Sequence, residues 1–203
     1  TLGISNRSWR GWSWVLFFLT STLALNACAS TIAWKEEVVL HDGKTIIVKR
    51  THTYDPKGPR EIGQPAPLVE STLAFTVPGT EREVTWKSDY GRGYQDNLSL
   101  LLLDFQNDVP YIATTPSRCH AYNKWDRPNP PYVFFKFDSD WKRISLEEFP
   151  AAFREANTLL APLSNEHIKK QVQEAVDRAG FLPATKIKTL NRDSQREHRT
   201  IVR

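Results

Sequence analysis

Two stretches of this chain are apolar at nearly every position: Leu98-Ser99-Leu100-Leu101-Leu102-Leu103 and Tyr132-Val133-Phe134-Phe135. A strand turns successive side chains to opposite faces, so a strand that is apolar throughout must be covered on both sides. The covering layer is either a second sheet or the helices that follow. The surrounding sequence supplies strands in pairs. His41-Asp42-Gly43 joins 38–40 to 44–50, and Pro78-Gly79-Thr80 joins 73–77 to 83–87. Gln106-Asn107-Asp108 joins 98–105 to 109–115, and Asp138-Ser139-Asp140 joins 132–137 to 141–144. Asp-Gly between β-rich runs is a strong hairpin signal, because both residues accept positive φ at low cost. The pattern predicts a mainly β fold with C-terminal α: a small antiparallel β-sandwich or open barrel of about eight strands in four hairpins, followed by two helices. The repeat signal is too weak for two propeller-like blades.

The helical part follows the strands. Ser145 and Glu148 have the spacing of a capping box, but Pro150 bars a continuous helix from there. The expectation is a short turn over 146–149 and a helix over about 150–160. A clearer helix is expected over 165–179, capped by Ser164, with Ile168, Val172, Val176 and Ala179 on one face and Gly180 and Pro183 as stops. Its narrow apolar stripe predicts docking on its own domain, with a partner or membrane surface as the alternative. Residues 54–70 read as an exposed loop and 116–131 as an irregular connection. The net charge of +4 is unevenly placed. Residues 184–203 hold six basic residues and two acids, and have little apolar content, which predicts a basic, disordered tail. Residues 28–183 carry a net charge of −2. A basic tail on a mildly acidic body suits an anionic partner such as lipid phosphate or a cell-wall polymer.

At the other end, Arg7 and Arg10 precede an apolar run over 14–25 that closes on Leu25-Asn26-Ala27-Cys28. The run has about 12 residues where a membrane-spanning helix needs ~20. The segment resembles a bacterial lipoprotein signal peptide. That resemblance implies a diacylglycerol on the Cys28 thiol and cleavage between Ala27 and Cys28, with Leu25, Asn26 and Ala27 forming the flank. It also implies membrane lipid as a partner, and Ala29 favours the outer membrane by the sorting rule of enteric bacteria. One acyl chain anchors only marginally, whereas two or three hold firmly. Ala27-Cys28-Ala29 is also a small-x-small site, at which cleavage after Ala29 would release a soluble protein. The expected organisation is 1–27 signal peptide, 28–33 lipidated tether, 34–163 β-rich domain, 164–183 amphipathic helix and 184–203 basic tail. An exported protein rarely meets nucleic acid, which is excluded as a partner.

Within the body, Pro116-Ser117-Arg118-Cys119-His120 is the most enzyme-like segment. A thiol beside imidazole and guanidinium can be activated as a nucleophile. On an extended chain, however, Cys119 and His120 point opposite ways. Cys119 is therefore expected to be buried or inert, with a reactive thiol as the alternative. The five histidines (41, 52, 120, 167, 198) show no metal-ligand spacing, and Asp104, Asp108, Asp138 and Asp140 read as turn formers. No metal or cofactor is expected. Trp125-Asp126-Arg127-Pro128-Asn129-Pro130-Pro131-Tyr132 is the candidate recognition segment, with Trp125, Arg127 and Tyr132 available to a protein or glycan on a proline-stiffened path. The competing reading packs both aromatics inward.

The region over 34–163 also resembles an uncharacterised family of Gram-negative envelope lipoproteins. The residues concerned are Trp34-Lys35-Glu36-Glu37-Val38 with His41-Asp42-Gly43, then Thr85-Trp86-Lys87-Ser88, and Ala121-Tyr122-Asn123-Lys124-Trp125 through Pro130-Pro131-Tyr132-Val133-Phe134-Phe135-Lys136. The resemblance implies a periplasm-facing envelope address and a single β-rich domain, and no catalytic residue. The sequence thus predicts a lipid-anchored binding or assembly module, contacting another envelope protein or a cell-wall polymer. The alternative is a periplasmic enzyme using Cys119 and His120, or an Asp/His site formed only in three dimensions.

Overall fold

The computed structural model describes residues 30–58, 62–88, 98–193 and 200–201. Two antiparallel four-stranded sheets form its frame. The first is a meander of β1 (Ser30–Val39), β2 (Thr45–Tyr54), β3 (Leu68–Thr76) and β4 (Glu83–Lys87). The second is a meander of β5 (Leu98–Gln106), β6 (Val109–Pro116), β7 (Val133–Phe137) and β8 (Trp141–Ile144). The four expected hairpins are present, and two further pairings, β2 with β3 and β6 with β7, link them. Turn chemistry follows the residues. Gly43 and Gly79 take positive φ, and Asn107 and Asp108 do so together at 53° and 59°, as the twist of a two-residue hairpin requires.

The sheets pack face to face and do not close, so the fold is a sandwich and not a barrel. Val38, Val48, Leu73, Phe75 and Trp86 of the first sheet meet Leu100, Leu103, Ile112 and Phe135 of the second. The second sheet is also covered on its outer face. Leu102, Tyr111, Ala113 and Phe134 are buried there under Phe149, Phe153, Ala156 and Leu160. This explains the continuous apolar run of β5, whose residues Leu100 to Phe105 are all buried. Fully burying one such side chain is worth ~1.5–3 kcal/mol.

Three of the four edge strands carry further contacts, as exposed strand edges otherwise invite association. On β1, Glu37 N–H donates to Leu182 O at 2.9 Å and Leu182 N–H donates to Lys35 O at 2.8 Å, adding a short parallel bridge. On β5, Asn157 N–H reaches Leu101 O at 3.1 Å. On β4, the indole N–H of Trp141 donates to Thr85 O at 2.8 Å, tying the two sheets at that side.

Three helices lie among the described residues: α1 (Cys119–Lys124), α2 (Glu166–Ala179) and α3 (Ala184–Asp193). α2 is the helix the periodicity predicts. Its buried residues Ile168 and Val172 dock in a third apolar cluster with Trp34, Leu163, Leu182 and Leu190. Its cap is Asn165, one residue after the expected Ser164, with the amide oxygen accepting from His167 and Ile168 N–H. Gly180 ends it at φ 80°.

Several expectations give way. The expected helix over 150–160 is a turn followed by an irregular strap. Ser145 and Glu148 do make the reciprocal capping-box bonds, at 2.9 and 3.3 Å, but Pro150 follows before a second turn can form. The expected disordered tail begins with α3, whose Ile187, Leu190 and Asn191 are buried. Those two aliphatics, at helical spacing, outweigh the basic composition on which disorder was expected. The 28–33 tether overlaps β1, which starts at Ser30 because Ser30 to Ala33 pair with Thr51 to Tyr54. The 116–131 connection contains the short helix α1.

Candidate functional site

A cleft of about 640 Å³ opens where the β1–β2 turn, the strap and α3 meet. Its floor is aliphatic: Val39, Leu40, Leu102, Ala156 and Ile187. Val39 is 40% exposed, one of few large apolar side chains left open to solvent among the described residues. His41, Arg154, Glu155, Thr185 and Lys188 add polar groups.

His41 is held there by Asp104 of β5, 63 residues away in sequence. The Asp104 carboxylate is 2% exposed and takes three donors. These are His41 N–H at 2.8 Å, Phe105 N–H at 2.8 Å and the His41 ring nitrogen Nδ1 at 2.7 Å. An ionised carboxylate only accepts, so Nδ1 carries the proton, and in the neutral ring Nε2 on the opposite edge keeps its lone pair. The imidazole also lies 4.8 Å from the Phe153 ring, which fixes its second face. Asp42 braces the turn by accepting from Lys44 N–H at 3.0 Å. The Lys44 ammonium, at 2.9 Å, holds the Asp42 carboxyl below its usual range.

Two asparagines build the back wall. Asn157 accepts from Leu103 N–H at 3.0 Å and donates to Leu103 O at 2.8 Å and Val39 O at 2.9 Å, clamping both sheets together. Buried Asn191 of α3 accepts from Leu160 N–H at 2.7 Å and Ala161 N–H at 3.2 Å, and donates to Thr158 O at 3.0 Å. Backbone polar groups buried without partners are costly, so these bonds fix the strap and α3 as rigid walls. Glu37 adds to this by accepting from Ala184 N–H at 2.9 Å at the start of α3.

A second polar cluster lies inside the first sheet. Glu36 is 0% exposed and Arg50 3% exposed, and they pair at 2.9 Å. The Trp34 indole N–H donates to Glu36 at 2.8 Å, and the Arg50 guanidinium lies 5.4 Å from the Trp34 ring centre. His52 stands edge-on to Trp34 at 4.9 Å. Burial, then the Arg50 charge, lowers its pKa from 6.5 to about 3. Glu36 and Arg50 are closed to solvent, so this pair serves the fold.

The residues singled out from the sequence fall elsewhere. Leu25, Asn26, Ala27 and Cys28 lie outside the described residues. Cys119 and His120 open α1 at the surface and line no part of the cleft, so of the expected buried or inert thiol the buried form is excluded: the thiol is exposed. Trp125 packs inward, edge-on to Phe135 at 5.7 Å with Arg143 5.6 Å from its ring centre. Tyr132 is half-buried beside Phe134, its hydroxyl donating to Thr200 O at 3.3 Å. Arg127 is exposed and spends Nε on Asn123 at 2.9 Å. The three do not form one surface. Among the described residues, no three His, Cys, Asp or Glu side chains gather as metal ligands. No helix among them is long and apolar enough to cross a membrane.

Sequence reasoning passed over His41 and Asp104 as turn residues, and Lys188 as part of a solvated tail. The one available signal was an acid inside an otherwise apolar strand, Leu103-Asp104-Phe105. Comparison with family models, curated proteins and solved structures returns no match.

Proposed function

We propose that this protein is a lipid-anchored component of the bacterial envelope, facing the periplasm from the outer membrane, that binds a small ligand in the cleft between its sandwich and α3. The cleft carries this reading. It has the volume of a small-molecule site, an aliphatic floor and a few polar groups on rigid walls. The lipobox-like Leu25-Asn26-Ala27-Cys28 supports the anchor, as does the resemblance to envelope lipoproteins.

The test is native mass spectrometry of the full chain extracted from Gram-negative membranes, beside a Thr185→Trp variant that fills the mouth of the cleft from an exposed position. The expected result is a chain beginning at Cys28 with acyl mass, carrying a small adduct that Thr185→Trp removes. A chain beginning at Ser30 without acyl mass overturns the anchor. An adduct that survives Thr185→Trp, or none at all, overturns the cleft as the binding site.

A second reading rests on the Asp104–His41 pair. An imidazole oriented by a buried carboxylate, with Nε2 free to take a proton, has the arrangement of a general base. That reading requires a turnover of ester or phosphoester substrates that His41→Ala removes while leaving far-UV circular dichroism unchanged. Turnover retained in His41→Ala refutes it.

A further inference from the structure

The cleft also restricts the chemistry of what it holds. Its acceptors are largely spent inside the protein. Asp104 receives three donors, Asn157 and Asn191 use their amide oxygens on backbone N–H groups, and Glu155, at the exposed rim, accepts from Thr200 with one oxygen at 3.2 Å. The donors are less committed. The Lys188 ammonium forms no ion pair among the described residues, and Arg154 uses only Nε, on Ala151 O at 3.0 Å. Thr185 adds an exposed hydroxyl. His41 accepts when neutral and donates when protonated, so it suits either state of an acidic head group. Below this polar mouth the surface is aliphatic and carries no ring of the kind that stacks on sugars or bases, apart from the His41 imidazole itself.

We infer that the ligand is an amphipathic anion. Its aliphatic chain lies on Val39, Leu40, Leu102 and Ile187, and its carboxylate or phosphate head meets Arg154 and Lys188. This inference rests on the cleft being the binding site. Each methylene withdrawn from water adds to binding, so chain length governs affinity. The head group governs selectivity, because a cationic head would meet the two positive charges of Arg154 and Lys188 against the one exposed carboxylate of Glu155. Hydrocarbon chains ending in a carboxylate and in a phosphate monoester share this chemistry and differ in source, the first a free fatty acid and the second a phospholipid fragment.

Isothermal titration of the full chain with four twelve-carbon probes tests it: dodecanoate, dodecyl phosphate, dodecanol and dodecyltrimethylammonium, each below its micelle concentration. Octanoate provides the shorter chain. One of the two anions should bind at least tenfold more tightly than the alcohol and the cation, and the stronger of the two names the source. Octanoate should bind at least tenfold more weakly than dodecanoate. Lys188→Glu with Arg154→Glu, both at exposed positions, should weaken the anions at least tenfold at an unchanged thermal midpoint. Thr185→Trp should abolish binding. Equal binding of all head groups, each blocked by Thr185→Trp, overturns the anionic class and leaves the cleft as the site. Binding of anions that Thr185→Trp does not block overturns both. No binding of any probe overturns the amphiphile, and the adduct seen by native mass spectrometry then decides the cleft separately.

Discussion

The inner face of the first sheet is built in two ways along its length. At one end Val38, Val48, Leu73 and Trp86 meet Leu103, Ile112 and Phe135 of the opposite sheet in an apolar core. At the other end the same strands bury Trp34, Glu36 and Arg50, with the half-buried His52 edge-on to Trp34, and the cover over Trp34 is the C-terminal chain: Leu163, Ile168, Val172, Leu182 and Leu190. Strand length explains the change. β1 and β2 have ten residues each, whereas β7 has five and β8 four. At ~3.3 Å per residue β7 and β8 fall well short of β1 and β2, although β5 and β6, at nine and eight residues, come close to them. The uncovered half needs a separate lid, and the cleft lies where that lid meets the sandwich. The two ends therefore differ in what holds them. One relies on sheet-to-sheet packing, the other on a buried ion pair beneath docked helices.

The largest expected effect breaks the polar end. Glu36→Leu leaves Arg50 charged, buried and unpaired, and should cost about 3–5 kcal/mol in urea denaturation. The double variant Glu36→Leu/Arg50→Met removes both charges and should recover most of that loss. A cost below about 1 kcal/mol for the single variant would mean that water reaches the pair, and the contrast between the two ends would dissolve. Next comes the lid. Leu190→Ala should cost about 2–5 kcal/mol, as Leu103→Ala does in the sheet core, because both side chains are fully buried. If α3 were loosely attached, Leu190→Ala would cost only a few tenths and Leu103→Ala would stand alone.

These two ends were not equally legible in the sequence. The sandwich was, because period-two alternation and turn residues are local: each hairpin announces itself within about 15 residues. α2 was legible for the same reason, through the spacing of Ile168 and Val172. The lid and the cleft were not. Residues 184–193 look basic and solvated until Ile187 and Leu190 find a cluster whose other members come from residues as distant as Trp34. Asp104 and His41 meet only because β5 and the β1–β2 turn are brought together by packing, and no spacing rule spans 63 residues. The strap over 150–160 has a helix-like start, but Pro150 and the demands of Asn157 and Thr158 on the backbone of β5 draw it into an extended path.

A smaller effect reads the polar end through pH. The His52 pKa is about 3 in the folded protein and near 6.5 when unfolded. As pH falls through 6.5 the unfolded chain takes up a proton that the folded protein refuses until about pH 3, so this residue lowers stability progressively across that window. Between pH 7 and pH 5 the loss should be about 1–2 kcal/mol, measured as a shift in urea midpoint. His52→Gln should flatten that dependence by the same amount. A variant with the same slope as the parent would place His52 in water and not against Trp34.

The smallest expected effect tests how the lid begins. Asn165 accepts from two N–H groups at the start of α2, at 3.0 and 3.3 Å, while the neighbouring Ser164 makes no capping bond there. Asn165→Ala should cost about 1 kcal/mol and Ser164→Ala a few tenths at most, both read from urea denaturation. The reverse order would move the cap to Ser164, shift the first turn of α2 by one residue and change which side chains face Trp34. Equal and negligible costs would mean that α2 is held by Ile168 and Val172 alone, which would make the polar end depend on apolar docking as fully as the sheet-to-sheet end does.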